Sequence, residues 1–570
     1  MSLRLPIGVS DFKQLIETDY YFVDKSLLIK DIIEDGAIII LIPRPRRFGK
    51  TLNLSMLHYF FNATSGENNS HLFQGLLIQE HPECMAKQNS IPSIFLSLKD
   101  TKAGSYETFL QLMQALMGEL YDQYRSLLLE SDKLSDQDKI YFKNILSRQG
   151  NESDIANALK MLTKFLYAVY GNRVMVFLDE YDAPIHTAYA NEHYDQLIIF
   201  MRTFMGGAFQ DNIYLEKGVI TGILRIAQAS IFSDLNNIDT YSLLRRMYAE
   251  YFGFTQNEVD TLLAVAHLER HGEDIKQWYN GYQVKELKLY NPWSIVNCVK
   301  RAGSLEHYWL GTSANTLIKN LLSHANLEVK KVFESLLQGE AIVKSVKENI
   351  VLPELPRSEE AIWSLLLFSG YLTTTECKVS DYGLSCELRI PNREVGLVYH
   401  EMIREWFSVS LSLGSYDQLL QSLITGNWDA FAHILQDYIR VSGSYFDFNA
   451  NTSEAVYHAF ILGIVSGLRD HYIILSNREA GYGRCDLAMI PKDPLKHKAM
   501  ILEFKRRSTF RTLRQTARIA LDQIAEKDYT ALLAQHPIKN VTAVGIAFAE
   551  KNVAVTTREI VIPLVEDAGF

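Results

Sequence analysis

Two carboxylates and a lysine lie close together near the C-terminal end of this 570-residue sequence. Asp486 belongs to one apolar run, and the triplet Glu503-Phe504-Lys505 closes the next one. Side chains two apart on a strand point to the same face, so Glu503 and Lys505 face one pocket, and Asp486 joins them if the two runs pair as a hairpin. Carboxylate oxygens suit Mg²⁺, and an ammonium group orients a water molecule or holds a phosphate. This combination predicts hydrolysis of a phosphodiester bond.

A second set of residues, far upstream, is typical of phosphate binding. Residues 44–51 match the pattern GxxxxGK(S/T) except at the first position, where Arg44 replaces glycine. They follow a predicted strand and open a predicted helix, whose N-terminal N–H groups favour phosphate. We expect Gly49 to let the backbone approach the phosphates, Lys50 to reach the terminal ones, and Thr51 to hold Mg²⁺.

An apolar strand that ends in two acids completes the predicted nucleotide site. Its last residue, Asp179, is placed to hold Mg²⁺, and Glu180 is placed to act as the base that activates water. A later strand ends at Thr221, which is positioned to sense the γ-phosphate of bound ATP. Three further candidates for phosphate contacts, each equally well explained as a solvated or packing arginine, are Arg46, Arg47 and Arg225.

The composition limits the class of protein. Hydrophobic residues make up 47% of the chain and charged residues 22%, as in soluble globular proteins, and the length predicts three or four domains. A net charge of −10 excludes a wholly basic nucleic-acid coat. The five scattered cysteines form no CxxC pair, so we expect no zinc site or disulfide framework and a reducing bacterial cytoplasm. No signal peptide or membrane span is visible.

The order of the predicted elements indicates an α/β fold. Four near-continuous apolar strands, as in a parallel sheet covered on both faces, are predicted at residues 37–42, 93–98, 174–179 and 218–223. Helical stretches that alternate with them are predicted at residues 52–61, 106–128, 154–170 and 193–209. This alternation places ligands at the carboxyl ends of the strands.

The rest of the chain follows a different pattern. From about residue 240 it is mainly helical. A helix at 361–368, two strands at 371–379 and 386–390, and a further helix are compatible with a winged-helix-like module. Beyond residue 446 the predicted order is helix, strand, strand, helix, strand.

About the first 300 residues resemble the bacterial AAA-ATPase-like family, P-loop proteins similar to archaeal and STAND-type ATPases. Besides residues 44–51, the blocks that carry the resemblance are residues 5–8, 21–25, 179–182, 221–222, 232–237, 278–282 and 290–294. An Arg-Pro-Arg-Arg start to the loop is usual in this family, so the resemblance implies ATP binding despite Arg44. The rate of hydrolysis stays open, because some such proteins act as slow switches.

The C-terminal region resembles the PD-(D/E)XK nuclease superfamily, in a branch often fused to this ATPase. Asp486, Glu503 and Lys505 match its motif, and the resemblance implies that Glu454 adds a carboxylate and that Gln523 lies on the following helix. A local excess of basic residues supports contact with nucleic acid: nine basic residues and only two acids lie between residues 492 and 518. Such a run is also common on solvated faces.

The leading hypothesis is an ATP-binding hydrolase: a regulated Mg²⁺-dependent nuclease that cuts DNA or RNA, with DNA favoured. The alternative is a nucleotide-dependent switch whose nuclease-like domain is inactive and binds nucleic acid or a protein partner. A scaffold with both sites silent fits the residues less well. The expected domains are a P-loop domain at 1–240, a helical extension at 241–350, a winged-helix-like and helical region at 351–445, and a nuclease-like domain at 446–570. The trigger, the oligomeric state and the biological role, whether in defence against mobile DNA or as a secreted effector, stay open.

Overall fold

The computed structural model describes most of the chain in two compact units. The described residues are 3–64, 68–226, 237–309, 339–381, 383–399, 413–442, 454–468, 471–508, 510–533, 536 and 538–562, with short pieces between 317 and 336. The first unit comprises Met1–Leu317 and Val343–Val395, and the second comprises Ile318–Ile342 and Gly396–Phe570. Both are α/β, with a parallel sheet in the first and a mixed sheet in the second, which confirms the predicted fold class.

Five parallel strands form the central sheet of the first unit, in the order β2-β3-β4-β1-β6. The strands of this unit's first half are β1 (Ile39–Pro43), β2 (Ser93–Ser97), β3 (Val174–Asp179), β4 (Leu215–Gly222), β5 (Arg225–Ile226) and β6 (Ile238–Thr240). The four predicted strands are confirmed to within three residues at each end. The short β6 was missed, because three residues that include Asp239 do not form an apolar run.

Helices cover this sheet and lead into the middle of the chain. They are α1 (Phe12–Glu17), α2 (Leu27–Glu34), α3 (Lys50–Phe61), α4 (Pro82–Met85), α5 (Tyr106–Asp122), α6 (Arg125–Leu129), α7 (Asp136–Leu146), α8 (Glu152–Tyr170), α9 (Ala183–Ala190) and α10 (Tyr194–Phe209). The single helix predicted at 106–128 is wrong, since α5 and α6 are separate. Between them, Tyr124 leaves helical geometry and is buried, and its hydroxyl donates to the Ser93 carbonyl oxygen at 3.1 Å.

The middle of the first unit combines helices with small sheets. Its elements are α11 (Gln256–Val265), α12 (Gly272–Tyr279), β7 (Asn280–Val284), β8 (Leu287–Tyr290), α13 (Pro292–Lys300), β9 (Ile342–Ser345), β10 (Asn349–Ile350), α14 (Glu359–Phe368), β11 (Thr373–Ser380) and β12 (Gly383–Arg389). The predicted sequence of helix, hairpin and helix is present, with residues 393–399 helical. The hairpin joins β9 in a three-stranded sheet in the order β11-β12-β9.

One disulfide contradicts the expectation from the cysteine spacing. Cys377 on β11 and Cys386 on β12 are directly paired across the hairpin and form a disulfide, with their Cα atoms 4.1 Å apart. A separation of nine residues becomes a cross-strand pair only once the hairpin register is known. Cys84, Cys298 and Cys485 are free and buried.

The second unit contains a five-stranded sheet in chain order, in which only β15 and β16 run parallel. Its elements are α15 (Leu413–Thr425), α16 (Trp428–Ser442), α17 (Glu454–Val465), β13 (Tyr472–Ala480), β14 (Gly483–Pro491), β15 (Ala499–Arg506), α18 (Leu513–Glu526), β16 (Asn540–Ala549) and β17 (Asn552–Val561). The prediction of three strands is wrong. The missed β13 and β17 are the two edges of the sheet, and edge strands carry polar residues that hide their pattern.

No helix in the described ranges is long and apolar enough to cross a membrane.

Candidate functional site

The predicted phosphate loop connects β1 to α3 with an unusual backbone. Gly49, the residue before the helix, has φ 83°, a left-handed conformation that favours glycine. A Cβ atom placed on it would meet no heavy atom within 4 Å, so the loop is open on this side. The α3 N-terminus follows directly, and its free N–H groups attract anions. The loop therefore has the open backbone and the helix dipole that a phosphate requires.

Lys50 brings a buried positive charge to this loop. It is 6% exposed, and its Nζ donates to the carbonyl oxygens of Arg44 at 3.0 Å and Pro45 at 2.9 Å. Burial lowers the pKa of this ammonium, although the nearby charge of Glu180 opposes the effect. Two neutral carbonyls compensate a buried cation poorly. The Lys50 ammonium therefore suits contact with a phosphate of a bound nucleotide.

Asp179 joins two other residues of the predicted nucleotide site, Thr51 and Thr221. The Thr51 hydroxyl donates to its Oδ2 atom at 2.7 Å, and the Thr221 hydroxyl donates to its Oδ1 atom at 2.6 Å. The next residue, Glu180, has φ 49°, and burial raises its pKa. One carboxylate and one hydroxyl side by side are ligands that Mg²⁺ prefers, so Thr51 and Asp179 fit the expected metal.

Asp182, which was not among the predicted site residues, supports the turn after Thr221. Its Oδ2 atom accepts from the backbone N–H groups of Ile223 at 2.8 Å and Leu224 at 3.0 Å, and His186 lies 3.3 Å away. Burial alone would raise the pKa of Asp182, but these donors hold it below its usual range. The only feature of the sequence that pointed to Asp182 was its place in the block of residues 179–182, which contains three acids.

The arginines of the loop are engaged with the protein. Arg44 is fully buried and donates to the Tyr241 carbonyl oxygen at 2.6 Å. Arg47 lies 4.2 Å from the Trp293 ring centroid and donates to the Tyr308 carbonyl oxygen at 2.8 Å. The Arg47 side chain therefore points toward α13 and the segment after it. Arg46 and Arg225 have a less specific setting: the Arg46 carbonyl oxygen accepts from Asn291 at 3.3 Å, and Arg225 lies on β5, which pairs with β10.

Glu394 forms a buried network next to Arg47. Its carboxylate accepts from the Ser294 hydroxyl at 2.8 Å and from the Trp309 N–H at 2.8 Å. Burial raises the pKa of Glu394 to about 7, against the effect of these donors and of Arg47. The network ties the helical segment that follows β12 to the elements that hold the phosphate loop.

We expect Glu394→Ala to lower the thermal stability of the protein. The change leaves the buried Ser294 and Trp309 donors without their acceptor, which costs about 2–4 kcal/mol. Differential scanning calorimetry should show a transition several degrees lower, whereas Glu394→Gln, which keeps one acceptor oxygen, should lose less. The control is Glu376→Ala on the exposed hairpin, where 58% of the side chain is accessible. Equal melting of Glu394→Ala and this control would contradict the network's role.

The second site lies where β14 and β15 pair. Leu487 is opposite Leu502, which brings Asp486 beside Glu503 as the hairpin hypothesis requires. The Phe504 N–H donates to Asp486 Oδ2 at 2.8 Å, and Lys505 Nζ lies 3.3 Å from Glu503 Oε1. Phe504 itself is fully buried. Asp486, Glu503 and Lys505 therefore converge as predicted.

Gln523 from α18 completes this arrangement. Its Nε2 atom donates to Glu503 Oε1 and to the Tyr529 hydroxyl, the latter at 3.0 Å. Glu454 begins α17, and its side chain lies outside the described part of the chain. Within that part, no three His, Cys, Asp or Glu side chains group as a metal centre.

The carboxylates of this site carry unfavourable charge. Glu503 is 1% exposed, and burial together with the Asp486 carboxylate raises its pKa, while Lys505 partly offsets the effect. A divalent cation would relieve this repulsion between the two acids, as would a shared proton. Asp486 and Glu503 therefore fit a divalent metal as its protein ligands.

His458 is a neighbour of the site that was not among the predicted site residues. Its Nε2 atom lies 2.9 Å from the Asp486 carbonyl oxygen and 3.0 Å from the Ser476 hydroxyl. The ring is buried and packs 5.4 Å from Phe504. Its position four residues after Glu454, on the same helix face, was the signal that could have identified it.

The raised pKa of Glu503 predicts that metal affinity depends on pH. A metal ligand must be ionised, so binding releases a proton and affinity should rise with pH by up to about tenfold per unit while Glu503 is protonated. The raised pKa also means that the metal-free folded state binds more protons than the unfolded state, so its stability falls as pH rises from the ordinary carboxyl range to the raised one. Titration calorimetry with Mn²⁺ in buffers of different ionisation enthalpy measures the number of protons released when the metal binds. Glu503→Gln should abolish its release, and a pH-independent affinity in the unsubstituted protein would refute the expectation.

The fold and the two sites define a P-loop ATPase-like unit and a nuclease-like unit in one chain. Residues 6–232 match the family described as predicted AAA-ATPase, and residues 452–558 match the PD-(D/E)XK nuclease superfamily. The chain therefore carries an AAA-ATPase-like domain and a PD-(D/E)XK nuclease superfamily domain, and both resemblances drawn from the motifs are confirmed. It is similar to the "Uncharacterized protein in vnfD 5'region" of Azotobacter chroococcum mcd 1, with 26% identity over 456 residues, 77% of this chain and 79% of that protein.

Proposed function

We propose that this protein is an ATP-binding nuclease that cuts nucleic acid with the help of Mg²⁺. The observation that carries the proposal is the convergence of Asp486, Glu503, Lys505 and Gln523 at one end of a mixed sheet. Two carboxylates side by side, one of them buried, repel each other and stabilise the fold little unless a cation neutralises them. They have a clear chemical purpose at a phosphodiester.

Each of these residues has a role in the proposed reaction. Asp486 and Glu503 would hold the metal, which when bound lowers the pKa of a water molecule and offsets charge on the phosphate. Lys505 holds its ammonium beside Glu503 and would stabilise the negative charge that develops on the phosphate oxygens. Gln523 fixes the orientation of Glu503, and the Phe504 N–H fixes that of Asp486.

The first unit would bind ATP and regulate cleavage. Lys50 would supply the phosphate contact, Thr51 and Asp179 would hold Mg²⁺, and Glu180 is the candidate base for hydrolysis. Thr221, which also bonds Asp179, would sense the γ-phosphate. Arg47 contacts Trp293 of α13 and Tyr308 in the segment after it. A conformational change in the phosphate loop would therefore be transmitted to α13 and to that segment.

A cleavage assay tests the proposal. Purified protein is incubated with supercoiled plasmid, linear duplex, single-stranded DNA and RNA, with Mg²⁺ or Mn²⁺, and with or without ATP. We expect metal-dependent cleavage of at least one substrate and a change in its rate on addition of ATP. No cleavage under any of these conditions would reject the nuclease. Nucleotide-sensitive binding of nucleic acid or of a partner without cleavage would instead support a switch with an inactive nuclease-like domain.

A further inference from the structure

Two aromatic side chains stand in solvent at one end of the nuclease-like sheet. Tyr482, in the turn between β13 and β14, is 81% exposed, and Phe510, in the segment between β15 and α18, is 95% exposed. They are the two most exposed aromatic side chains in the described part of the chain. Single exposed apolar residues are common, so their position relative to the site decides whether they have a function.

Both aromatics lie at the end of the sheet that holds the candidate active site. The Tyr482 N–H donates to the Lys527 carbonyl oxygen at 2.8 Å, in the turn that leads to Tyr529. Tyr529 in turn accepts from Gln523, the partner of Glu503. Phe510 lies five residues after Lys505 of β15. The opposite end of the strands holds the turn at 492–498.

Exposed basic side chains lie on the elements that adjoin the two aromatics in the chain. They come from the start of β14, from the end of β15 and the segment after it, and from the first turns of α18, and are Arg484, Arg506, Arg507, Arg511, Arg514 and Arg518. Arginines placed along a surface neutralise phosphates without reading sequence. Aromatic rings beside such arginines can stack on the unstacked bases of a single strand, because every base has a π-face.

We propose that Tyr482, Phe510 and the neighbouring arginines bind an unpaired nucleic-acid strand, with bases stacked on the two rings. The inference rests on the proposed function and deepens it, since it names single-stranded or locally unpaired nucleic acid as the substrate class. In a duplex both faces of each base are already covered by its neighbours, so exposed rings gain little there.

Binding measured without a divalent metal tests this surface apart from cleavage. Fluorescence anisotropy of the full chain in EDTA is followed with a labelled 20-nucleotide DNA strand, an RNA strand of the same sequence, and the DNA duplex. We expect either single strand to bind more tightly than the duplex. Tyr482→Ala and Phe510→Ala should each weaken single-strand binding about tenfold and change duplex binding little.

Leu495→Ala is the matched control. Leu495 is 99% exposed and also lies among lysines, but in the turn at the other end of β14 and β15. Its substitution should leave binding unchanged. Duplex binding as tight as single-strand binding, aromatic substitutions no stronger than Leu495→Ala, or no binding at all would each overturn the inference. Tight single-strand binding without cleavage in Mg²⁺ would leave it standing while rejecting the nuclease, and cleavage with a duplex preference would do the reverse.

Discussion

Lys505→Ala is expected to reduce metal-dependent cleavage about 100- to 1000-fold, the usual loss when one donor that stabilises charge in the transition state is removed. The ammonium lies 3.3 Å from Glu503, so its removal has a second effect. It takes away the positive charge that lowers the pKa of Glu503, and that carboxyl then ionises less readily for a metal. Initial rates on the substrate that the unsubstituted protein cuts fastest, at several Mg²⁺ concentrations, separate the two effects.

Lys498→Ala is the matched control for this substitution. Lys498 precedes β15 at the end of the strand remote from Asp486, and its 65% exposed side chain is paired with Glu559. Lys498→Ala removes the same charge from the same sheet. The cleavage rate should stay within about twofold of that of the unsubstituted protein, as expected for an exposed ion pair. Full cleavage by Lys505→Ala, or an equal loss in both variants, would remove Lys505 from the chemistry.

Lys50→Met should weaken ATP binding by roughly 10- to 150-fold, since a hydrogen bond from a charged donor is worth about 1.5–3 kcal/mol. The substitution removes the buried ammonium while keeping an unbranched side chain of similar length. It removes a buried cation whose direct hydrogen-bond partners are the backbone carbonyl oxygens of Arg44 and Pro45 and whose charge interacts with that of Glu180. Titration calorimetry with a non-hydrolysable ATP analogue gives the dissociation constant directly.

Lys217→Met controls for the loss of a lysine that donates to backbone carbonyls. The Lys217 side chain is half-buried, and its Nζ donates to the carbonyl oxygens of Ile32 and Asp35 near the start of β4, at the end of the strand opposite Thr221. We expect lower stability and unchanged nucleotide affinity. An affinity that falls equally in both variants would mean that Lys50 acts through the fold. If Lys50→Met bound ATP normally, the loop would not be the nucleotide site.

The first unit was largely predictable from sequence, because its strands are buried on both faces and read as continuous apolar runs. Gly49, Lys50 and Thr51 follow from a local motif, and Asp179 and Thr221 from strand ends in a parallel sheet, where neighbouring carboxyl ends meet. The direction of the Arg47 side chain was not predictable. It depends on Trp293 and Tyr308, about 250 residues away, and no local pattern encodes such a contact.

The second unit was predicted at its centre and missed at its edges. β14 and β15 are buried, so Asp486 and Glu503 could be placed on one hairpin. β13 and β17 carry polar side chains on a partly solvated strand, which weakens the alternation that identifies strands. His458 was missed for another reason: a buried histidine that supports a backbone carbonyl has no sequence signature beyond its helix position.

The cross-linked hairpin has a consequence for the solubility of the chain. β11 is the outer strand of its sheet, and its exposed end presents backbone groups that could template pairing with a second molecule. The Cys377–Cys386 link prevents β11 from sliding along β12, and the register of the two strands shifts between Thr374 and Glu376. A strand that is held in one register, is irregularly paired and carries Lys378 is a poor seed for intermolecular sheets.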